Sequence, residues 1–135
     1  GNTVLYDTLY MKELKTGEVY EIENIYYDYD KADIREDAKP SLNRLLDLLG
    51  QYQAMQIQIN SHTDCRGSES YNQRLSQARA LSVIRYLQQR GIGKERLRHK
   101  GFGESKPVER CPACERCTEE QHQRNRRTEF QIIAM

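Results

Sequence analysis

The chain has 135 residues, the size of one ordinary domain, of which 37% are hydrophobic and 30% charged. Its 21 basic and 20 acidic residues leave a net charge of +1, so no bulk field favours binding to nucleic acid or to an anionic membrane surface. No apolar run is long enough to span a bilayer as a helix.

The N-terminal third of the chain predicts two strands and one helix. Tyrosines and β-branched residues predict strands over 4–10 and 19–27, with a turn at 15–17 between them. After a polar loop at 28–33, apolar residues recur at helical spacing over 38–52. The apolar positions of this helix are Leu42, Leu45, Leu46, Leu49 and Tyr52.

The remaining elements alternate between strand and helix. Met55, Ile57 and Ile59 alternate with polar residues, which predicts a strand with one buried face. Ser68 is placed to cap a helix that ends near Arg90, before Gly91. A short strand at 96–100, a cysteine-bearing loop, a short helix at 118–123 and a last strand at 128–133 follow.

This order predicts an α/β sandwich with a mixed sheet and helices packed on one face. The elements run β-α-β-α-β, then a loop with a short helix, then β, after an N-terminal strand or hairpin lead-in. We predict that 1–18 form this lead-in or linker and that 19–135 form the domain.

One arginine interrupts the apolar face of the second helix. Leu75, Arg79, Val83 and Tyr86 are spaced by four, four and three residues, so they share one helix face. A guanidinium in that position needs an anionic partner, because it cannot lose its charge. Asp64, just after the preceding strand, is expected to lie nearby. The two residues form either a structural ion pair or a pocket for a zwitterionic ligand.

Three of the four cysteines lie within seven residues, at Cys111, Cys114 and Cys117, and the fourth is Cys65. With His122 nearby, this spacing suits a zinc site, or part of an iron–sulfur cluster motif with Cys65 as a fourth ligand. The same clustering also suits disulfides, and the redox compartment decides between them. His62 with Cys65 as a base and a thiol nucleophile is a further alternative, but no third orienting group is apparent.

The motifs together resemble the OmpA-like peptidoglycan-binding domain, in a version similar to those of Bacteroidetes. The resemblance rests on Ser-His-Thr-Asp-x-x-Gly at 61–67, on Tyr-Asn-x-x-Leu-Ser-x-x-Arg-Ala at 71–80 and on Gly-Phe-Gly-Glu-Ser-x-Pro at 101–107. An aromatic and acidic run at 26–34 and the Asn-Arg-Arg run at 125–127 also match. These motifs appear in the family's order and cover about 19–134.

The resemblance implies a binding domain, not an enzyme, with no cofactor. Its ligand would be the stem peptide of peptidoglycan, held by the free end of diaminopimelate. Asp64 matches the family's binding aspartate, and Arg79 matches its binding arginine. The other implied ligand-binding residues are Tyr29 and Asp30 in the loop beside the pocket, Thr63 in the motif, Asn72 and Leu75 on the helix, and Arg127 at the rim.

The resemblance also implies a location in the periplasm, on an outer-membrane protein or lipoprotein that the domain anchors to the cell wall. Membrane association would come only through the missing part of this parent protein. In that oxidising compartment we expect a Cys111–Cys117 disulfide, with Cys65–Cys114 as a possible second bridge. A zinc or iron–sulfur module built on Cys111, Cys114 and Cys117 is the alternative function.

Overall fold

The computed structural model describes residues 3–4, as backbone only, and residues 14–23, 25–28 and 31–135. It contains a five-stranded sheet in the order β1-β2-β5-β3-β4. The strands are β1 (Thr3–Val4), β2 (Val19–Ile22), β3 (Gln56–His62), β4 (Leu97–Gly103) and β5 (Arg127–Ala134). β5 is antiparallel to its neighbours β2 and β3, whereas β3 and β4 are parallel, so the sheet is mixed as predicted.

Within the described residues, three α-helices accompany the sheet: α1 (Lys39–Gln51), α2 (Glu69–Gln89) and α3 (Glu119–Asn125). Both long helices lie within one residue of their predicted bounds at each end. The Ser68 side chain accepts a hydrogen bond from the Tyr71 N–H, and Gly91 follows the helix with φ +101°. The fold is therefore the predicted α/β sandwich.

A single apolar core joins the helices to one face of the sheet. The fully buried strand side chains alternate along the sequence, as a one-sided sheet requires. Tyr20 and Phe130 stack with their ring centroids 5.2 Å apart. Further core residues are Ile57, Ile59 and Ile132 from the strands and Leu42, Leu45, Leu49, Val83 and Leu87 from the helices.

The lead-in differs from the predicted hairpin. β1 pairs with β2 in parallel, so these two strands are not the arms of an antiparallel hairpin. β2 ends at Ile22, five residues before its predicted end. Most of the strand predicted over 4–10 lies outside the described residues. Within the described part of the chain, no helix is both long and apolar enough to cross a lipid bilayer.

Gly101 allows β4 to approach α2 closely. A β-carbon at this position would come within 2.3 Å of the Gln77 backbone nitrogen and 2.5 Å of the Ser76 Oγ. The Gln73 side-chain amide donates to the Gly101 carbonyl oxygen at 2.6 Å, and the Gly103 N–H donates to the Ser76 Oγ at 2.9 Å. These contacts fix the start of α2 against the end of the parallel strand pair.

Candidate ligand-binding cleft

A cleft of about 570 Å³ opens at the end of β3, where the chain turns into α2. Such volumes suit an amino-acid-sized or peptide ligand. Five of the predicted site residues line it, namely Thr63, Asp64, Asn72, Leu75 and Arg79. The rest of the described lining consists of Tyr27, Arg66, Gly67, Tyr71, Glu119 and Arg126.

The turn from β3 into α2 is held by local hydrogen bonds. The Thr63 N–H continues the pairing with β4 by donating to the Gly103 carbonyl oxygen at 2.9 Å. The Asn72 side-chain amide donates to the Arg66 carbonyl oxygen at 2.9 Å and to the Glu104 Oε1 at 3.0 Å. Gly67 has φ +90°, a conformation that favours glycine, so the turn leads directly into the helix cap.

The Asp64 carboxylate is buried and bound mainly through one oxygen. Its Oδ2 accepts hydrogen bonds from Arg66 Nη2 at 2.8 Å and from Arg126 Nη1 at 2.6 Å. Its Oδ1 accepts one hydrogen bond from the described residues, from the Arg66 N–H at 2.9 Å. Burial raises the pKa of Asp64, but the hydrogen bonds from the two arginines outweigh it and lower the pKa below its ordinary value. The group is therefore a carboxylate at neutral pH.

Arg79 is buried on the cleft-facing side of α2, with 8% of its surface exposed. Its Nε donates to the Lys31 carbonyl oxygen at 3.0 Å, and its guanidinium carbon lies 4.6 Å from the centre of the Tyr27 ring. Among the described residues, no carboxylate lies within 4.0 Å of its nitrogens. Burial lowers the pKa of Arg79, and the more distant charge of Asp64, which acts in the opposite direction, does not outweigh it.

The structural ion pair between Asp64 and Arg79 is thus not present. Both side chains face one cleft, but the aspartate pairs with Arg66 and Arg126 instead. Tyr27 contacts Arg79 twice, because its hydroxyl donates to the Arg79 carbonyl oxygen at 3.2 Å and its ring lies against the guanidinium. Burial raises the pKa of Tyr27 to about 12, so its hydroxyl keeps its proton at neutral pH.

The start of α3 supplies the opposite wall of the cleft. Thr118 caps α3, and the next residue, Glu119, accepts hydrogen bonds from Arg66 Nη1 at 3.2 Å and from Arg126 Nη2 at 2.7 Å. With Asp64, these side chains form a four-membered ion network. The described lining contains three arginines and two acids, which leaves one positive charge for a ligand anion.

The other predicted site residues lie elsewhere or outside the described part. Arg127 lines an adjoining cavity of about 250 Å³, which also includes Arg79 and Arg126. Its Nε lies 3.4 Å from the Glu129 Oε2, and its Nη2 donates to the Lys106 carbonyl oxygen at 2.9 Å. Tyr29 and Asp30 are outside the described residues, so their positions in the site stay a prediction.

His62 is part of a buried polar group behind the cleft. Its Nε2 lies 2.8 Å from the Glu129 Oε1, and its ring stacks on Phe102 with centroids 5.0 Å apart. Within the described part of the chain, its buried Nδ1 has no hydrogen-bond partner. Burial lowers the pKa of His62, so the ring is neutral at pH 7.

The four cysteines form two disulfides, Cys65–Cys114 and Cys111–Cys117, with Cα atoms 5.8 and 5.5 Å apart. The sulfurs of Cys65 and Cys117 lie within 4.8 Å of His122 Nδ1 and of each other. Metal binding requires thiolates, however, and these sulfurs are oxidised. The metal-binding alternative is therefore not favoured, and Cys65 has no free thiol to act as a nucleophile.

Comparison with known proteins identifies the class to which this fold and cleft belong. Residues 26–126 match the OmpA family, so the chain belongs to this family.

Two relatives have names that refer to the outer membrane or to peptidoglycan. The chain is 37% identical to a peptidoglycan-associated lipoprotein of Rhizobium meliloti, over 66% of this chain and 51% of that protein. It is 33% identical to outer membrane porin F of Pseudomonas fluorescens, over 82% of this chain and 32% of that protein. A stretch of 86 residues is also 44% identical to a Gloeobacter violaceus protein named photosystem I P700 chlorophyll a apoprotein A2, but covers only 10% of it. The chain thus spans about half or less of these curated relatives.

Solved structures share the fold over most of the chain. The peptidoglycan-associated lipoprotein from Burkholderia pseudomallei superposes with a TM-score of 0.70 at 28% identity, over 80% of this chain and 87% of that chain. The cell wall anchor of the type VI secretion system from Pseudomonas aeruginosa gives a TM-score of 0.69 at 26% identity, over 87% of this chain and 80% of that chain.

Proposed function

We propose that this domain binds peptidoglycan non-covalently, by holding the free end of diaminopimelate in the stem peptide. The observation that carries the proposal is that one cleft holds both the Asp64 carboxylate and a buried Arg79, which has no acidic partner within 4.0 Å among the described residues. A ligand with a carboxylate and an ammonium on the same carbon complements both groups. The names of the relatives, which refer to peptidoglycan and to the cell wall, support the same ligand.

In this proposal the ligand carboxylate binds to Arg79. Its two Nη groups donate to no described residue, and a guanidinium binds a carboxylate through two parallel hydrogen bonds. Because Arg79 is already desolvated, the protein has met much of the desolvation cost before the ligand arrives. The ligand thereby gains a charge-assisted contact in a site largely shielded from water.

The ligand ammonium binds to Asp64 Oδ1. This oxygen accepts a single hydrogen bond from the described residues, whereas Oδ2 is occupied by Arg66 and Arg126. A carboxylate oxygen has capacity for a second donor. Asn72 and Thr63 support the site indirectly. Their side chains hydrogen-bond to the backbone of the turn that carries Asp64.

We further propose that the domain comprises 19–135, with 1–18 as a lead-in, and that it has no catalytic activity. It would reside in the periplasm and anchor a longer outer-membrane protein or lipoprotein to the cell wall. Outer membrane porin F and the lipoprotein relative, each of which the chain matches over only a part, support this arrangement. Incubation with purified peptidoglycan should release no soluble fragments, and reproducible release would contradict the absence of activity.

Sedimentation with purified sacculi tests the proposed function. The wild-type chain should sediment with the sacculi, whereas Asp64→Ala and Arg79→Ala should stay in the supernatant while keeping a cooperative thermal transition. Arg74→Ala is a matched control, because Arg74 is an exposed arginine on the same helix. If both cleft variants sediment like the wild type, the ligand is held elsewhere.

A further inference from the structure

The ion network of the cleft is built from two segments that are distant in sequence and joined by one disulfide bond. The first segment, residues 63–67, carries Asp64 and Arg66, and the second, residues 114–126, carries Glu119 and Arg126. The Cys65–Cys114 disulfide connects them across 49 residues of sequence, and Cys65 lies between the two ion-pairing residues of the first segment.

Every charged side chain of the ion network sits on one of these two segments. Arg126 joins them through Asp64 at 2.6 Å, and Arg66 joins them through Glu119 at 3.2 Å. Glu119 is largely exposed, and an exposed ion pair alone contributes little to holding two segments together. The disulfide is therefore the strong connection at this end of α3.

The far end of α3 is tethered independently of the disulfide. The Asn125 side-chain oxygen accepts hydrogen bonds from the Val108 and Glu109 N–H groups, both at 2.9 Å, and its amide donates to the Glu109 carbonyl oxygen at 3.0 Å. Asn125 also lies only two residues before the start of β5. Opening the bridge would thus release the start of this seven-residue helix, which is too short to be stable alone, while its end stays in place.

We infer that the Cys65–Cys114 disulfide positions the cleft residues and sets its affinity for peptide ligand. This inference rests on the proposed function, and it assigns to the bridge a role in binding in addition to its role in stability. Without the bridge, the start of α3 moves away from the turn and takes Glu119 with it. Arg66 and Arg126 then lose the Glu119 carboxylate that orients their guanidinium groups, and so they hold the Asp64 carboxylate less firmly in its bound orientation. The Cys111–Cys117 bridge closes the short loop that contains Cys114, and neither of its cysteines lines the cleft.

The first experiment compares two doubly substituted variants by calorimetric titration with a diaminopimelate-containing muropeptide. The titrations are run at one temperature, 15 degrees below the melting temperature of the less stable variant. Cys65→Ser with Cys114→Ser should weaken binding about tenfold, a typical size for coupling between sites. Cys111→Ser with Cys117→Ser is the matched control and should bind within about twofold of the wild type. Equal affinities for the two paired variants would overturn the inference.

A second measurement keeps the test decisive if the first variant does not fold. In the Cys111→Ser/Cys117→Ser background, a small-molecule dithiol gives two electrons and two protons to the remaining bridge, which yields two cysteine thiols and the oxidised dithiol. Coupling is reciprocal, so a ligand that prefers the oxidised chain makes the bridge harder to reduce. Saturating muropeptide should therefore raise about tenfold the ratio of reduced to oxidised dithiol at which half of the Cys65–Cys114 bridge is reduced. This change corresponds to a reduction potential lower by about 30 mV. An unchanged ratio would overturn the inference.

The two proposals fail in different ways. If the wild-type chain binds the muropeptide but neither the substitutions nor the reduction equilibrium respond, the proposed function stands and the role of the bridge falls. If the wild-type chain shows no binding at all, both fall together.

Discussion

One arginine side chain from outside strand β3 lies near each end of this strand. The two guanidinium groups differ in how many of their N–H groups have hydrogen-bond partners within the protein. At the first end, Arg96 donates at 2.8, 2.7 and 3.0 Å to the carbonyl oxygens of Leu49, Tyr52 and Met55. At the other end, Arg79 is more deeply buried, yet it donates one hydrogen bond to the described residues and otherwise faces the cleft.

This difference separates an arginine that stabilises the fold from one that is available to a ligand. Arg96 donates to the Leu49 carbonyl in the last turn of α1, where helix carbonyls lack helical partners, and to two carbonyls just after the helix, so its charge is used within the protein. Arg79 bears the cost of burial without an acidic partner among the described residues, and its pKa is lowered as a result. Its hydrogen bond to Lys31 and its contact with the Tyr27 ring leave the charge without a described counterion, so we interpret this charge as available to a ligand.

The largest expected effect is on ligand binding by Arg79→Ala. Removing one member of a buried, hydrogen-bonded charge pair costs about 2–5 kcal/mol, so affinity for a diaminopimelate-containing muropeptide should fall by about 30-fold or more. The free energy of unfolding should change little or rise, because a desolvated cation is lost. Calorimetry and urea unfolding of the same sample check both parts. If Arg79→Ala loses much stability but still binds the muropeptide, Arg79 serves the fold and not the ligand.

Arg96→Ala should show the opposite behaviour. Hydrogen bonds from a charged donor contribute about 1.5–3 kcal/mol, and the three bonds share one side chain, so we expect a stability loss of about 2–3 kcal/mol in urea unfolding. Muropeptide affinity should stay within about twofold of the wild type. Arg98→Ala, at an exposed position two residues further along the chain, is the control for the loss of one charge. An Arg96→Ala variant that keeps its stability but binds the muropeptide more weakly would contradict a purely stabilising role for Arg96.

Asn72→Ala should affect both properties at an intermediate level. Its amide holds the turn that carries Asp64, so its loss should cost about 1–2 kcal/mol of stability and weaken binding by a similar free energy. Gln77→Ala, at an exposed position on the same helix, should change neither. Binding that is unaffected in Asn72→Ala would show that the turn does not need this support.

The smallest effect concerns pH and the His62 end of β3. The pKa of buried His62 is lowered, so below about pH 6.5 the unfolded chain binds a proton that the folded chain does not. Stability should therefore fall as the pH drops from 7 to 5, by at most about 1.4 kcal/mol per pH unit. His62→Gln should flatten this slope in urea unfolding. An equal slope in the variant would assign the effect to other groups.

Much of the fold follows from periodicity in the sequence. Apolar spacing predicted α1 and α2 to within one residue, because their buried faces are regular. Pro40 in the first turn of α1 and the Ser68 cap of α2 also mark where these helices start. The same spacing placed Arg79 on the buried face of α2. The predicted hairpin was wrong because strand direction depends on pairing partners, which local residue patterns do not encode.

The partners of Asp64 were not predicted, for two separate reasons. Arg66 folds back over a turn only two residues long, and its contact depends on backbone geometry that composition does not specify. Arg126 is distant in sequence and reaches Asp64 through the antiparallel pairing of β3 with β5, in which His62 is opposite Arg127. The strand register could have predicted this contact. Continuing the antiparallel register two residues past the His62–Arg127 pair brings Asp64 beside Asn125 and Arg126.

We propose above all that Arg79, which has no acidic partner among the described residues, binds the carboxylate of diaminopimelate. The most direct test of this proposal is calorimetric titration of the wild-type chain with two muropeptides that differ only in carrying diaminopimelate or lysine. Lysine keeps the side-chain ammonium but lacks the second carboxylate, so we predict binding at least about 30-fold weaker, which corresponds to about 2 kcal/mol. Equal affinities for the two muropeptides would contradict the account.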